Sequence, residues 1–162
     1  MYSIRLDGDV RKLMKKLNKL ENIDVKGASF TLSEALRTST RERFKEQKSP
    51  DGKSWTKSIR AISEGGTTLT DKAGLKNSIK STANSSGFAV GTNKVYARTH
   101  QFGEKKRTIK AKTSKGLRFK VDGEWKNKKE VTIKIPARPF LGISEEDMRE
   151  IKGTLEDIIS EE

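Results

Sequence analysis

The chain has 162 residues, a length that sets a single domain as the expectation and argues against a two-domain enzyme. It holds 35 basic and 22 acidic residues for a formal charge of +13, with only 31% hydrophobic residues, so a thin core with solvated arms is expected, its burial completed against neighbouring copies or a partner. Cysteine is absent, which excludes disulfide staples and thiolate sites, and the charge favours an anionic partner: nucleic acid, a membrane surface or an acidic protein face.

Met1 to Arg5 shows no apolar run of signal-peptide length, and nowhere do 18 apolar residues follow one another. A soluble protein made in the cytoplasm is therefore expected. Tyr2, Ile4 and Leu6 alternate as in a short half-buried strand, which Asp7-Gly8-Asp9 breaks. Val10, Leu13, Met14, Leu17 and Leu20 then form one stripe of an amphipathic helix and read as a packed face rather than a membrane-surface face.

Thr31-Leu32-Ser33-Glu34 has the capping-box pattern and predicts a second helix running to about Gln47. Leu32, Ala35, Leu36 and Phe44 would share its buried side, while Arg37, Arg41, Arg43, Lys45 and Lys48 would give it a basic surface. Pro50-Asp51-Gly52 is a turn, because Pro presets the backbone and Gly tolerates positive φ. Trp55, in a polar setting, reads as the plug of a small core rather than a base-stacking platform. Ser63 to Thr68 reads as a flexible loop.

Leu75, Ile79 and Ala83 before Asn84-Ser85-Ser86-Gly87, with Phe88 to Gly91 after, predict two strands joined by a polar turn. Val95 to Gly103 predicts a short helix closed by a glycine. Leu117 to Val121 and Val131 to Ile135 are strand-like, with Asp122-Gly123 as a hairpin turn, so a basic hairpin should stand out of the body. Ser144 caps the last helix, whose first turn is acidic, and Met148, Ile151, Leu155, Ile158 and Ile159 would form its buried face. The charge is polarised: Ser144 to Glu162 has eight acids and two bases, whereas Lys94 to Lys134 has 14 bases and four acids. Such a chain is suited to head-to-tail association through complementary faces.

Catalysis is not indicated. His100 is the only histidine, no nucleophile elbow or phosphate-binding glycine loop occurs, and the acids before the last helix are scattered singly. His100 reads as a hydrogen-bonded structural residue. No cofactor or metal is expected. Two classes remain, an assembly subunit and a nucleic-acid binder using the Lys94 to Lys134 region with Phe102, Phe119 and Trp125 for stacking.

An ordered set of short motifs narrows this choice. Arg41 to Phe44 leads into Ser49-Pro50-Asp51-Gly52-Lys53-Ser54-Trp55; then come Leu69 to Ile79 with Gly74-Leu75, Tyr96-Ala97-Arg98-Thr99-His100-Gln101-Phe102-Gly103, and Ile135-Pro136-Ala137-Arg138-Pro139-Phe140-Leu141-Gly142. The series, from about Leu32 to the last helix, resembles the phage virion-morphogenesis family, the tail-completion and neck proteins of the phage Mu G and phage P2 S type. Lys105 to Glu130 and Asp71 to Gly74 depart from the family's usual pattern.

The resemblance implies a non-enzymatic subunit of an α+β fold: an antiparallel sheet packed against N-terminal and C-terminal helices, residues 1–162 as one domain with 104–134 as a basic hairpin or loop insertion. It implies a place at the neck or the head-proximal end of the tail, enabling head–tail joining. It also implies a homo-oligomeric ring in the assembled particle, touching the phage connector or neck and the tail tube or terminator proteins. DNA would pass through the lumen and no membrane would be involved. The protein would reside in the host bacterial cytoplasm during assembly and then in the virion. Pro50, Asp51, Gly52, Trp55, Gly74, Leu75, Tyr96, His100, Gln101, Phe102, Gly103, Pro136, Arg138, Pro139 and Phe140 are the expected structural or interface residues. Arg138 would fork onto a carboxylate and Phe140 would anchor the path into the last helix. Lys105, Lys106, Arg107, Lys110 and Lys112 are the expected contacts to DNA, another anion or an acidic partner.

Overall fold

A computed structural model describes residues 23–121 and 123–160. The strand expected at Tyr2 to Leu6 and the amphipathic helix of Val10 to Leu20 lie outside the described residues.

The first described helix, α1 (Val25–Glu46), starts well before the predicted capping box. Asp24 is the N-cap, and its carboxylate accepts the Gly27 N–H at 2.9 Å. Thr31 to Glu34 therefore sit inside the helix. There the Ser33 hydroxyl donates to the Phe30 carbonyl at 2.8 Å, and Glu34 pairs with Arg37 instead of capping. At the far end Gln47 turns left-handed at φ 60°, its N–H closing on the Arg43 carbonyl at 2.8 Å. The predicted turn follows: Gly52, at φ 79°, donates to the Ser49 carbonyl at 2.9 Å. It brings Trp55 back under the end of α1, where its N–H reaches the Gln47 carbonyl at 2.7 Å.

Two short helices, α2 (Ile59–Ser63) and α3 (Gly74–Asn77), lead to the hairpin β1 (Lys80–Asn84) and β2 (Gly87–Gly91). The hairpin pairs from Lys80↔Gly91 to Asn84↔Gly87 across the predicted polar turn and packs along α1, while Leu75, expected with the first strand, lies in α3 and Ile79 just before β1. The stretch expected as a flexible loop is tied at its end. Thr68 is buried, its N–H donates to Gln47 Oε1 at 2.6 Å, and Gln47 Nε2 returns a bond to the Thr68 carbonyl at 3.1 Å.

After α4 (Ala97–Phe102) the chain enters four strands: β3 (Glu104–Lys110), β4 (Leu117–Val121), β5 (Glu124–Lys128) and β6 (Glu130–Ile135). Val131 to Ile135 do not pair with Leu117 to Val121. β3 pairs with β6 from Glu104↔Ile135 to Lys110↔Glu130, and β4 pairs with β5 from Leu117↔Lys128 to Val121↔Glu124. The basic segment is thus one hairpin carrying a second, and together they form an arm that makes only sparse contact with the other elements. The chain ends in α5 (Glu145–Ser160), whose Ser144 hydroxyl accepts the Asp147 N–H at 3.1 Å while the Asp147 carboxylate accepts the Ser144 N–H at 2.7 Å.

The fold is α+β, and the antiparallel strands among the described residues are split into three two-stranded pairs. The core is thin, as the composition dictates: Phe44, Trp55, Leu75, Ile79, Ala97 and Phe140. Phe44 packs edge-on to Trp55 and tilted against Phe140, both with ring centroids 5.4 Å apart, a geometry worth about 0.5–1.5 kcal/mol per pair beyond area burial. The predicted buried face of α5 is only partly buried. Ile151 and Ile158 are half-buried, whereas Met148, Leu155 and Ile159 are 41%, 41% and 51% exposed, and Asp147 is the buried residue of the helix. Asp147 ties the first turn of α5 to Arg43 of α1.

Candidate functional site

The motif residues converge on the segment that runs from β6 to α5. Trp55 Nε1 donates to the Pro139 carbonyl at 2.9 Å. Gln101 clamps the next peptides: its Oε1 accepts the Phe140 and Leu141 N–H groups, both at 3.0 Å, and its Nε2 donates to the Leu141 carbonyl at 2.8 Å. Pro139, which has no N–H, leaves one donor fewer to satisfy in this extended run. Phe140 is fully buried beneath it and, as expected, anchors the path into α5.

Arg138 is buried, but it does not fork onto a carboxylate. Its Nε donates to the Thr56 carbonyl at 2.7 Å and its backbone N–H to the His100 carbonyl at 2.7 Å, because the extended Pro136 to Phe140 path carries it alongside Thr56 and α4. His100 joins this network through its backbone, whereas its Nδ1 is buried without a hydrogen-bond partner among the described residues. Burial and then the Arg138 charge hold the His100 pKa below its ordinary value, so the ring is neutral at pH 7. Tyr96 meets the His100 ring edge-on at 6.0 Å.

The arginine that forks is Arg43, expected on the basic surface of α1. It is buried, it pairs with Asp147, and it donates through Nη1 to the Phe140 carbonyl at 3.1 Å and the Gly142 carbonyl at 2.8 Å. Burial pulls the Asp147 pKa up, but the Ser39 hydroxyl, the Ser144 N–H and hydroxyl, and the Arg43 charge outweigh it and hold the carboxyl below its usual range. Arg43 does carry a signal in the sequence. It lies seven positions after Leu36 and next to Phe44, on the stripe that faces inward.

The other predicted residues divide between this hub and its rim. Pro50, half-buried, stacks over Gly142; Leu75 is in the core; Gly74 is exposed near the Tyr96 hydroxyl. Asp51 is exposed, and hydrogen bonds from Lys53 and Ser49 lower its pKa to about 2. Gly103, at φ 71°, passes so close to Ile135 and Ala137 that a Cβ there would lie 2.6 Å from the Ala137 nitrogen. Pro136 is half-buried beside it, and Phe102 is 74% exposed. Lys105, Lys106, Arg107, Lys110 and Lys112, the expected contacts to an anion or acidic partner, are exposed on the arm. Trp125, 63% exposed, lies near the arm's turn with the Arg118 guanidinium 4.7 Å over its ring.

Two surfaces remain outside the hub. One is the arm. The other is a groove of about 1180 Å³ between α1 and α5, whose described lining holds eight carboxylates against three cations. Among the described residues no cluster of His, Asp and Glu is placed to hold a metal ion, and no helix is long and apolar enough to cross a membrane.

The α+β fold is thus built around a hub that holds backbone segments together, with charged surfaces around it. The chain belongs to the phage virion morphogenesis family, whose family model matches residues 7–160. Phage morphogenesis is therefore its role. No curated protein and no solved structure matches the chain significantly.

Proposed function

We propose that the protein is a structural subunit that completes the neck or the head-proximal end of the tail and enables heads to join tails. In this reading it acts as a homo-oligomeric ring between connector or neck proteins and tail tube or terminator proteins, with DNA passing through. The observation that supports it is the fate of the motif residues: Trp55, Gln101, Arg138 and Phe140 spend their polar groups and bulk on locking the path into α5. What they hold rigid is a frame for the arm, the groove and the exposed face of α5. Electron microscopy of particles made without the gene tests the reading. Full heads beside unattached tails are expected, and normal infectious particles would refute it.

The arm favours a second reading, a basic protein that contacts DNA, because it carries exposed cations together with Trp125, which is 63% exposed. That reading requires DNA binding with a steep salt slope that is lost when Lys105, Lys106, Arg107, Lys110 and Lys112 are neutralised. Under the assembly reading DNA binding is weak and its salt slope shallow.

A further inference from the structure

We infer that the arm of one copy seats in the groove between α1 and α5 of the next copy, and that this contact joins the subunits head to tail. The inference rests on the proposed self-assembly and specifies its contact.

Three observations carry it. The first is charge. Residues 104–134 hold 12 bases and four acids, whereas the groove is lined by eight carboxylates, of which Glu34, Glu42, Asp51 and Asp147 are paired with Arg37, Lys45, Lys53 and Arg43 and the others are not paired among the described residues. Glu46 on α1 and Glu146 and Glu150 on α5 have no cationic partner within ion-pair distance among the described residues. These three carboxylates are exposed and open to a cationic surface.

The second is size. β3, with seven residues, gives the arm a reach of roughly 20 Å at about 3.4 Å per residue. The α1 wall of the groove, from Glu34 to Glu46, spans roughly 18 Å at 1.5 Å per residue. The arm's strand and the groove's α1 wall are thus of matching length.

The third is topology. The arm's strands make at most sparse contact with α1 or α5 of their own chain, so the cleft that complements them belongs to another copy. Arm and groove are different surfaces, and the contact is heterologous; it propagates, and it closes where the rotation between subunits permits a ring. Trp125 and Arg118, stacked near the arm's turn, are residue types that dominate binding energy at protein contacts.

Charge reversal on the full-length chain tests the contact by sedimentation velocity at 0.1 M salt. One variant carries Glu42→Lys, Glu46→Lys and Glu150→Lys, the first two at the end of α1 where the helix dipole favours cations. The other carries Lys106→Glu, Lys110→Glu and Lys126→Glu on exposed arm positions. The wild type should self-associate, each variant alone should weaken association by at least about tenfold, and the two variants mixed should associate again in pairs, since the unaltered arm of the groove variant meets the unaltered groove of the arm variant. Circular dichroism and thermal melting confirm that each variant folds, and the rescue in the mixture separates a broken contact from a broken fold. A wild type that stays monomeric overturns the inference, as does an oligomer that ignores both reversals; the latter leaves the ring itself standing. A monomeric wild type that binds duplex DNA, with binding abolished by the arm variant, assigns the arm to nucleic acid and also overturns it. Head–tail joining is read separately from the gene-deletion particles, so either proposal can fail without the other.

Discussion

Arg43 is a cation inside a protein with little interior to hide it. It bonds two carbonyls of the segment entering α5 and pairs with Asp147 in that helix's first turn. Replacing it with Met removes these bonds and leaves a buried carboxylate without its counter-charge. Arg43→Met should cost about 3–5 kcal/mol in chemical denaturation, and Arg43→Met with Asp147→Leu should recover much of that loss, since the uncompensated charge dominates it. The pH dependence has a definite sign. Asp147 has a folded pKa below its unfolded value, so the unfolded chain binds its proton first as the pH falls. The stabilisation is complete above about pH 4, the unfolded value, and is lost as the pH drops through the folded value. Asp147→Asn lacks this titration, so the stability gap between it and the wild type should narrow steadily on going from pH 5 to pH 2. The sequence hid this pair for a physical reason: in a basic helix an arginine looks like surface, and only its place on the stripe of Leu32, Leu36 and Phe44 marks it as inward. Asp24 was hidden similarly. One carboxylate accepting one amide is enough to start α1, whereas the fuller Thr31 to Glu34 pattern drew the eye to a position that the helix simply runs through.

At the scale of elements, what could be read depended on how each element is stabilised. The Pro50 turn, the β1–β2 hairpin, α4 and the Ser144 cap follow from local chemistry and were legible from their residues. β3 and β5 were not, because Lys105-Lys106-Arg107 and Trp125-Lys126-Asn127-Lys128 show no apolar alternation, both strands being exposed nearly throughout. They are strands because their partners fix them: Ile109 faces Val131, and the Thr108 and Thr132 hydroxyls meet at 3.0 Å. The apolar stripe of α5 was legible as a stripe, but periodicity reports amphipathicity and not what covers it. The arm's sparse contacts make a prediction. Replacing Arg107 to Ile133 by Asn-Gly, which joins the strands near their base, should leave unfolding cooperative and move stability by no more than about 1 kcal/mol, since an exposed ribbon contributes little to the core. Thermal melts of the shortened chain check this. A large loss would mean that the arm is part of the body.

The whole molecule offers its neighbours two chemically different seams, the charged arm and groove and the apolar stripe of Met148, Leu155 and Ile159 on α5. Salt distinguishes them. Between 0.1 M and 1 M the screening length falls from about 10 Å to about 3 Å, which silences attraction between solvated charges and leaves apolar burial intact. An arm seated on acidic walls should therefore come away: sedimentation velocity should show the assembly dissociating between these sodium chloride concentrations, with the subunit still folded by circular dichroism. Contacts through α5 would instead survive at 1 M, because removing apolar surface from water does not depend on screening. The direction of the change thus names the seam. Dissociation at high salt places the joint at Glu46, Glu150 and the arm lysines, whereas persistence moves it to the last helix and makes the acidic groove a surface for some other basic component of the particle.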